Sequence, residues 1–349
     1  MTDANLRPVP MSPGVEAPLT GANRGLDRRR FLAGAGAAAL AGTIAGCAER
    51  GQAARAAAFV ARAGHYDADL ARPIRDGLAA LGIDAAAVRD RVVLLKPNLV
   101  EPSRGEPHIN THPAVVRAAA EVFCGLGARQ VLVAEGQGHC RDSALVLELS
   151  GLGEILDERR LEFVDLNHDD IFTVPNRHRR TRMKSLSLPV TLRRADLIVS
   201  MPKMKTHHWA GVTLAMKNLF GVLPGVYYGW PKNVLHRHGI PGSILDINAT
   251  VRAHLAIVDG IVGMEGDGPI MGTPRSSGVL VLGTNLPAVD ATAARLMQVD
   301  PRRIEYLATA AWDGLGPIAD HAIEQRGEPI AALAQRYEPL HHPGFPRLR

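Results

Sequence analysis

Lys96, Lys203, Lys205 and Lys217 each follow closely on an apolar run, in company with Asn98, Thr206, His207 and Asn218. Ammonium groups, amides and hydroxyls at strand ends and helix starts suit a phosphate or a carboxylate. A lysine stripped of water can also lose its proton near neutral pH and act as a base or nucleophile. The run Pro202-Lys203-Met204-Lys205-Thr206-His207-His208 is the strongest grouping, because it begins where the apolar stretch 195–200 stops. Lys203, Lys205 and His207 are therefore expected to do the chemistry on a small anionic ligand. Lys96, Asn98, Thr206, Lys217 and Asn218 are expected to hold it. The competing reading makes these lysines solvated charges in polar loops.

A second set is acidic. Asp259, Glu265, Asp267 and Asp290, with Glu135 nearby in type, offer carboxylate oxygens to a hard divalent metal. Their spacing is not that of a calcium loop, and the glycines around them suit turns equally well. His108, His112, His139, His236 and His238 could add ligands, and a mixed His/carboxylate site would favour a transition metal. His207 and His208 are adjacent, so on a strand only one of them faces a common site. The segment Tyr227-Tyr228-Gly229-Trp230-Pro231 stands out because aromatic residues make up only 4% of the chain. It reads either as an aromatic wall or lid over the site or as a plug that packs its own loop.

These residues need a frame to bring them together. Residues 91–95, 130–134, 161–164, 195–200, 255–258 and 278–282 read as strands by their β-branched and apolar content. Helical patterns fall at about 111–126, 143–159, 289–298 and 302–311, the first opened by Thr111 as N-cap with Pro113 in its first turn. Alternation of this kind predicts an α/β fold: three layers, with a mainly parallel sheet flanked by helices. In such sheets ligands bind at the carboxyl ends of the strands, where the lysine and glycine clusters lie. The charged, Arg/His-rich segment 165–193 breaks the rhythm and reads as an irregular insertion, a hairpin or cap.

The phrases KPNLV, THPAVV, ADLIVSMPKMKTH, MKNLFGVLPG, DGIVGMEGDGP and AVDATAARLM, in this order, resemble the domain of unknown function 362 family over about residues 91–315. That resemblance implies an α/β fold and no particular reaction. Some relatives carry cysteine-rich ferredoxin-like clusters. A looser likeness, at the level of fold alone, is to the nickel-pincer lactate racemase group.

The first fifty residues carry a different message. Asp27-Arg28-Arg29-Arg30-Phe31-Leu32 matches a twin-arginine export signal built on Arg28 and Arg29. An Ala/Gly-rich stretch of about 16 residues follows, short of the roughly 20 needed to span a bilayer. It ends at Ile44-Ala45-Gly46-Cys47, which resembles a lipobox with Cys47 as the lipidated residue. The expected organisation is a signal peptide over 1–46, a lipid-anchored tether over 47–55, a single α/β domain over 56–340 and a tail over 341–349. The protein would then sit at the periplasmic face of a bacterial membrane, held in the bilayer through Cys47. Its partners in export would be the twin-arginine translocase and the lipoprotein-processing enzymes.

Composition narrows the classes further. Without the five basic and three acidic residues of 1–46, the formal charge falls from +5 to +3, too slight to argue for nucleic acid. Besides Cys47 the chain has only Cys124 and Cys140, so no intrinsic iron–sulfur cluster is expected. The leading expectation is an exported enzyme acting on a small phosphate or carboxylate, with a divalent metal as its candidate cofactor. The alternatives are a lipid-anchored ligand- or metal-binding assembly factor, and an accessory subunit with a redox partner at the membrane.

Overall fold

The computed structural model describes residues 55–139, 142–341 and 348. Arg28, Arg29 and Cys47, and with them the export and anchoring expectations, lie outside the described residues.

The strands are β1 (Ala56–Arg62), β2 (Val92–Pro97), β3 (Gln130–Glu135), β4 (Glu162–Asp165), β5 (Ile171–Pro175), β6 (Ser185–Pro189), β7 (Leu197–Met201), β8 (Lys203–His207), β9 (Gly211–Thr213), β10 (Leu255–Glu265), β11 (Thr273–Gly283) and β12 (Ile323–Gly327). Ten of them form one sheet, in the order β12-β1-β11-β10-β7-β2-β3-β4, with β8 on β10 and β9 on β8. The run β10-β7-β2-β3-β4 is parallel throughout, while β11 joins β10 and β1 antiparallel. The α/β expectation is met: a mostly parallel central sheet with helices on both faces.

Side chains alternate across a strand, so a strand buried on both faces must be apolar at every position. In β2, Val93 and Leu95 enter one core with the helices Ala71–Ala80 and Pro113–Gly125. Leu94 enters the opposite core, under the helices Ile240–Val251, Leu286–Leu296 and Glu305–Trp312. The helix Pro113–Gly125 starts two residues beyond the expected cap. His112, not Thr111, closes it, its Nδ1 accepting Ala114 N at 3.2 Å. Thr111 turns the other way and donates to Met201 O at 2.6 Å.

Three segments refine or correct the sequence reading. The helix expected over 143–159 is two helices, Ser143–Ser150 and Leu152–Arg159, separated by Gly151 at φ +73°. The insertion at 165–193, expected as a hairpin or cap, contains the antiparallel pair β5–β6, a hairpin separate from the main sheet. The third difference matters most for function. Residues 203–207 and 259–265, which read as polar and glycine-rich loops, are strands: β8, and the second half of β10.

Candidate functional site

The carboxyl ends of the parallel strands form a row. Glu135 of β3 is in register with Asp165 of β4, and Lys96 of β2 with Ser200 of β7. On the other side of β7, Asp259 of β10 is in register with Lys203 of β8. Lys203, Lys205 and His207 occupy alternate positions of β8, and all three are buried. Five of the chain's six lysines gather along this row: Lys96, Lys203, Lys205, Lys217 and Lys232. Only Lys184 is exposed, and 34 arginines supply the rest of the basic charge.

Lys96 is fully buried and donates to Glu135 Oε2 at 2.7 Å, Pro97 O at 3.1 Å and Asn218 Oδ1 at 3.2 Å. Asn218 in turn donates to Lys96 O and to Ser200 Oγ, each at 3.1 Å, stitching β2 to β7. Burial lowers the Lys96 pKa, and the Glu135 carboxylate opposes that shift. Gly221 packs against the pair so closely that a Cβ there would lie 1.8 Å from Glu135 Oε1 and 2.8 Å from Lys96 Nζ. The MKNLFG phrase thus ends in glycine because a buried ion pair occupies the space of its side chain.

Lys203 anchors a second buried system. Its Nζ donates to Asp259 Oδ2 at 2.5 Å and to Tyr66 OH at 2.8 Å, and both charged side chains are fully buried. Tyr66 donates to Asp259 Oδ1 at 3.1 Å. Asp259 also accepts from His112 N at 2.9 Å and Ile261 N at 3.2 Å. The His112 ring stacks on Tyr66, centroids 3.6 Å apart and planes 8° from parallel. Burial brings the His112 pKa down to about 4, with the Lys203 charge reinforcing the shift. Burial also raises the Tyr66 pKa, with the Asp259 charge adding to it.

Lys205 has no carboxylate partner among the described residues. It donates to Ile109 O and, at 3.1 Å, to Pro269 O. Burial, followed by the charges of Lys203 and Lys217, pushes its pKa well below the ordinary lysine value. His207 is likewise driven well below the ordinary histidine value, by burial first and then by Lys217. Its Nδ1 accepts from Trp209 N at 3.1 Å and Ala210 N at 3.3 Å, so the neutral ring carries its proton on Nε2. Thr206, between them, turns to the other face and donates to Gly266 O at 2.9 Å.

Lys217 is different. It is half-buried, and among the described residues its Nζ has no hydrogen-bond or ion-pair partner; it lies 3.9 Å from the centroid of the Phe220 ring. Burial and the neighbouring Lys96 charge bring its pKa down to about 8, against the pull of Glu135. Lys217 rides on the short helix Ala215–Asn218, whose first amides are fastened by Asp290: Oδ1 accepts Ala215 N at 2.7 Å and Oδ2 accepts Met216 N at 3.1 Å. Tyr306 donates to the same carboxylate at 3.2 Å. Burial raises the Asp290 pKa to about 7.

The acidic set is accordingly spread over separate tasks. Asp259 pairs with Lys203, and Asp290 holds the Lys217 helix. Asp267 Oδ1 meets His208 Nδ1 at 2.8 Å. Glu265 accepts Glu338 N at 3.0 Å and faces Arg275 at 3.8 Å. Among the described residues, no three His, Cys, Asp or Glu side chains are grouped to hold a metal ion. Asn98 does lie at the row, where its backbone N–H donates to Thr111 Oγ1 at 2.8 Å and its buried Oδ1 has no partner among the described residues.

Two participants escaped the sequence reading. Tyr66 lies 137 residues before Lys203 and carries no local motif. Lys232, buried at 2% exposure and in the left-handed region at φ 69°, donates to Asn167 Oδ1 and Leu223 O. Burial brings its pKa down to about 7, against the pull of Glu135. Asn167 also accepts Gly225 N at 2.8 Å, so the Asn167–Lys232 pair ties down the loop that carries Tyr227, Tyr228 and Trp230.

Comparison with known proteins follows the same stretch of chain. The family model for a domain of unknown function, DUF362, matches residues 93–295. The thylakoid-associated protein sll1697 of Synechocystis sp. is 29% identical over 232 residues, covering 65% of this chain and 69% of that protein. Two solved structures are similar at lower levels. A Thermotoga maritima protein matches at 15% identity with a TM-score of 0.38, covering 64% of this chain. The lactate racemase apoprotein of Thermoanaerobacterium thermosaccharolyticum matches at 14% with a TM-score of 0.36, covering 61% of it. The chain spans 58% and 51% of the lengths of those two structures.

Proposed function

We propose, from the premise that this chain belongs to the DUF362 family, that it is an enzyme that receives a small carboxylate or phosphate on Lys217. One observation carries the reading: of the five lysines along the strand ends, Lys217 alone lacks a hydrogen-bond acceptor or counter-ion among the described residues, and it alone is not fully buried. An uncompensated ammonium at the edge of a low-dielectric interior attracts an anion far more strongly than one in open water. His207, neutral and with Nδ1 occupied, supplies an Nε2–H donor in the same electrostatic neighbourhood. In this proposal Lys96–Glu135 and Lys203–Asp259 are the internal supports of the site, already neutralised. With its pKa at about 8, Lys217 also has a fraction of free amine near neutral pH, available as base or nucleophile.

Amine labelling tests this with an internal control. Trinitrobenzenesulfonate at about pH 8 attacks deprotonated, accessible amines, and peptide mapping reports each lysine separately. Lys217 should be modified ahead of Lys96, Lys203 and Lys205. Inorganic phosphate or acetate should slow labelling at Lys217 while leaving exposed Lys184 unchanged. Labelling of Lys217 that neither anion slows would sink the reading.

The leader supports a second part of the proposal: delivery through the twin-arginine route and retention by a lipid on Cys47, from which the tether runs to β1. The Synechocystis relative is named for its association with the thylakoid, which is compatible with a place at a membrane. Radiolabelled palmitate should enter the parent protein and not Cys47→Ala. Equal labelling of the two would remove the anchor.

A further inference from the structure

The loop that joins β5 to β6 is strongly basic: five of the six residues from Arg177 to Arg182 are arginine or histidine. Two acids fasten it. The fully buried Asp246 carboxylate accepts Arg180 N at 2.8 Å, Thr181 N at 2.9 Å, Thr181 Oγ1 at 2.6 Å and Asn176 Nδ2 at 2.7 Å. Asp313 takes two of the basic side chains: Arg180 Nε donates to Oδ2 at 2.7 Å, and His178 Nε2 lies 2.9 Å from the same oxygen. Arg177, Arg179 and Arg182 are left exposed, with no ion-pair partner among the described residues.

The residue before Asp313 is Trp312, the last of the helix Glu305–Trp312 and 88% exposed. A single exposed apolar residue needs no explanation. An indole next to unpaired guanidinium groups is a different case, because tryptophan settles at the headgroup level of a bilayer and arginine meets the phosphates of anionic lipids. The topology favours the same partner. β1 starts opposite the end of β11, with Ala58 in register with Gly283. The helix after β11 is capped by Asn285, whose Nδ2 donates to Leu315 O at 3.2 Å, three residues beyond Trp312. Trp312 and the entry of the chain into β1 therefore share the amino edge of the parallel strands, opposite the lysine row. Whatever its conformation, the stretch 48–55 reaches no further than about 28 Å, so a lipid on Cys47 would hold this edge close to the bilayer.

We infer that the Arg177–Arg182 loop and Trp312 form a docking face for an anionic phospholipid surface, with the indole in the headgroup layer and the three unpaired arginines on lipid phosphates. The inference builds on the proposed anchor at Cys47 and adds an orientation to it. The amino edge of the sheet faces the lipid, and the lysine row faces away.

Sedimentation with vesicles tests the face apart from the anchor. Full-length Cys47→Ala, which has no thiol to acylate, should bind vesicles of phosphatidylcholine with phosphatidylglycerol more tightly than vesicles of phosphatidylcholine alone. Each arginine near an anionic surface contributes about a fivefold factor, so adding Arg177→Gln, Arg179→Gln and Arg182→Gln together should weaken binding to the anionic vesicles roughly a hundredfold. His178 and Arg180 stay in place in that variant, so the loop remains fastened to Asp313. Anionic vesicles should also shift tryptophan emission to the blue, and Trp312→Phe should abolish the shift. Equal sedimentation with and without the three arginines, or a blue shift that survives Trp312→Phe, overturns the docking face. Displacement from the vesicles by duplex DNA at equal phosphate concentration overturns it too, since the loop would then read phosphate density and not a bilayer. Because every protein in the test lacks Cys47, failure of the docking face leaves the palmitate result for the anchor standing.

Discussion

Lys203 and Lys217 lie on the same stretch of chain, both beside buried acids, yet their surroundings differ in kind. Around Lys203 every polar group is answered: Asp259 takes its charge, Tyr66 bridges the two, and the His112 and Ile261 amides satisfy the remaining carboxylate oxygens. Around Lys217 the nearby acids are committed elsewhere, Glu135 to Lys96 and Asp290 to the helix amides. The Lys203 system is internally neutral and has nothing left to offer a ligand, whereas the Lys217 system carries an unspent charge. Burial alone therefore does not mark a working lysine. What separates the two is whether the protein supplies the counter-charge or leaves it to a ligand.

The comparison predicts opposite responses to removal of charge. The largest effect is expected at the closed centre. Asp259→Ala leaves a fully buried ammonium beside Tyr66 without its counter-ion, and breaking a buried pair in this way costs about 3–5 kcal/mol. Denaturant unfolding followed by circular dichroism should show that loss. Removing both partners, in Asp259→Leu with Lys203→Met, should cost clearly less than Asp259→Ala, because no stranded charge remains. If the single and double variants are equally destabilised, the pair is not what holds this centre together, and the contrast with Lys217 weakens.

Much of this arrangement was legible in the sequence, and the illegible parts have identifiable causes. β2, β3 and β7 were readable because strands buried on both faces are apolar at every position. β8 was not, since Lys-Met-Lys-Thr-His has the composition of a loop. It is a buried strand because Asp259, the Ile109 and Pro269 carbonyls and the Trp209 and Ala210 amides answer its polar side chains, and none of these partners is visible as a local pattern. Asp290 is legible as an acid at the start of the helical pattern 289–298, offered there as a metal ligand, but its service to the amides of a helix 75 residues earlier is a property of the fold. Lys232 had one available signal that went unused. In a chain with six lysines and 34 arginines, each lysine is a candidate for a task that arginine cannot perform, such as giving up its proton when buried.

The smallest effect sharpens the comparison from the other side. Lys217 has a folded pKa of about 8, below the roughly 10.4 of an unfolded lysine. Between those values the unfolded chain binds more protons than the folded one, so stability rises with pH across that window. Below about pH 8 both states are protonated and the cost of the enclosed charge is present in full. Lys217→Met should therefore be slightly more stable than the parent at neutral pH, by under about 1 kcal/mol because the residue is only partly buried and solvent screens part of its charge. The gap should close as pH rises through 8 towards 10.4, and thermal melts of the two proteins over that range measure it. An anion on Lys217 favours the protonated form, so saturating phosphate should raise the parent's melting temperature below pH 8 and leave Lys217→Met unmoved. A variant less stable than the parent at neutral pH would mean that the ammonium already has its counter-charge within the protein, and the distinction between the closed and open lysines would disappear.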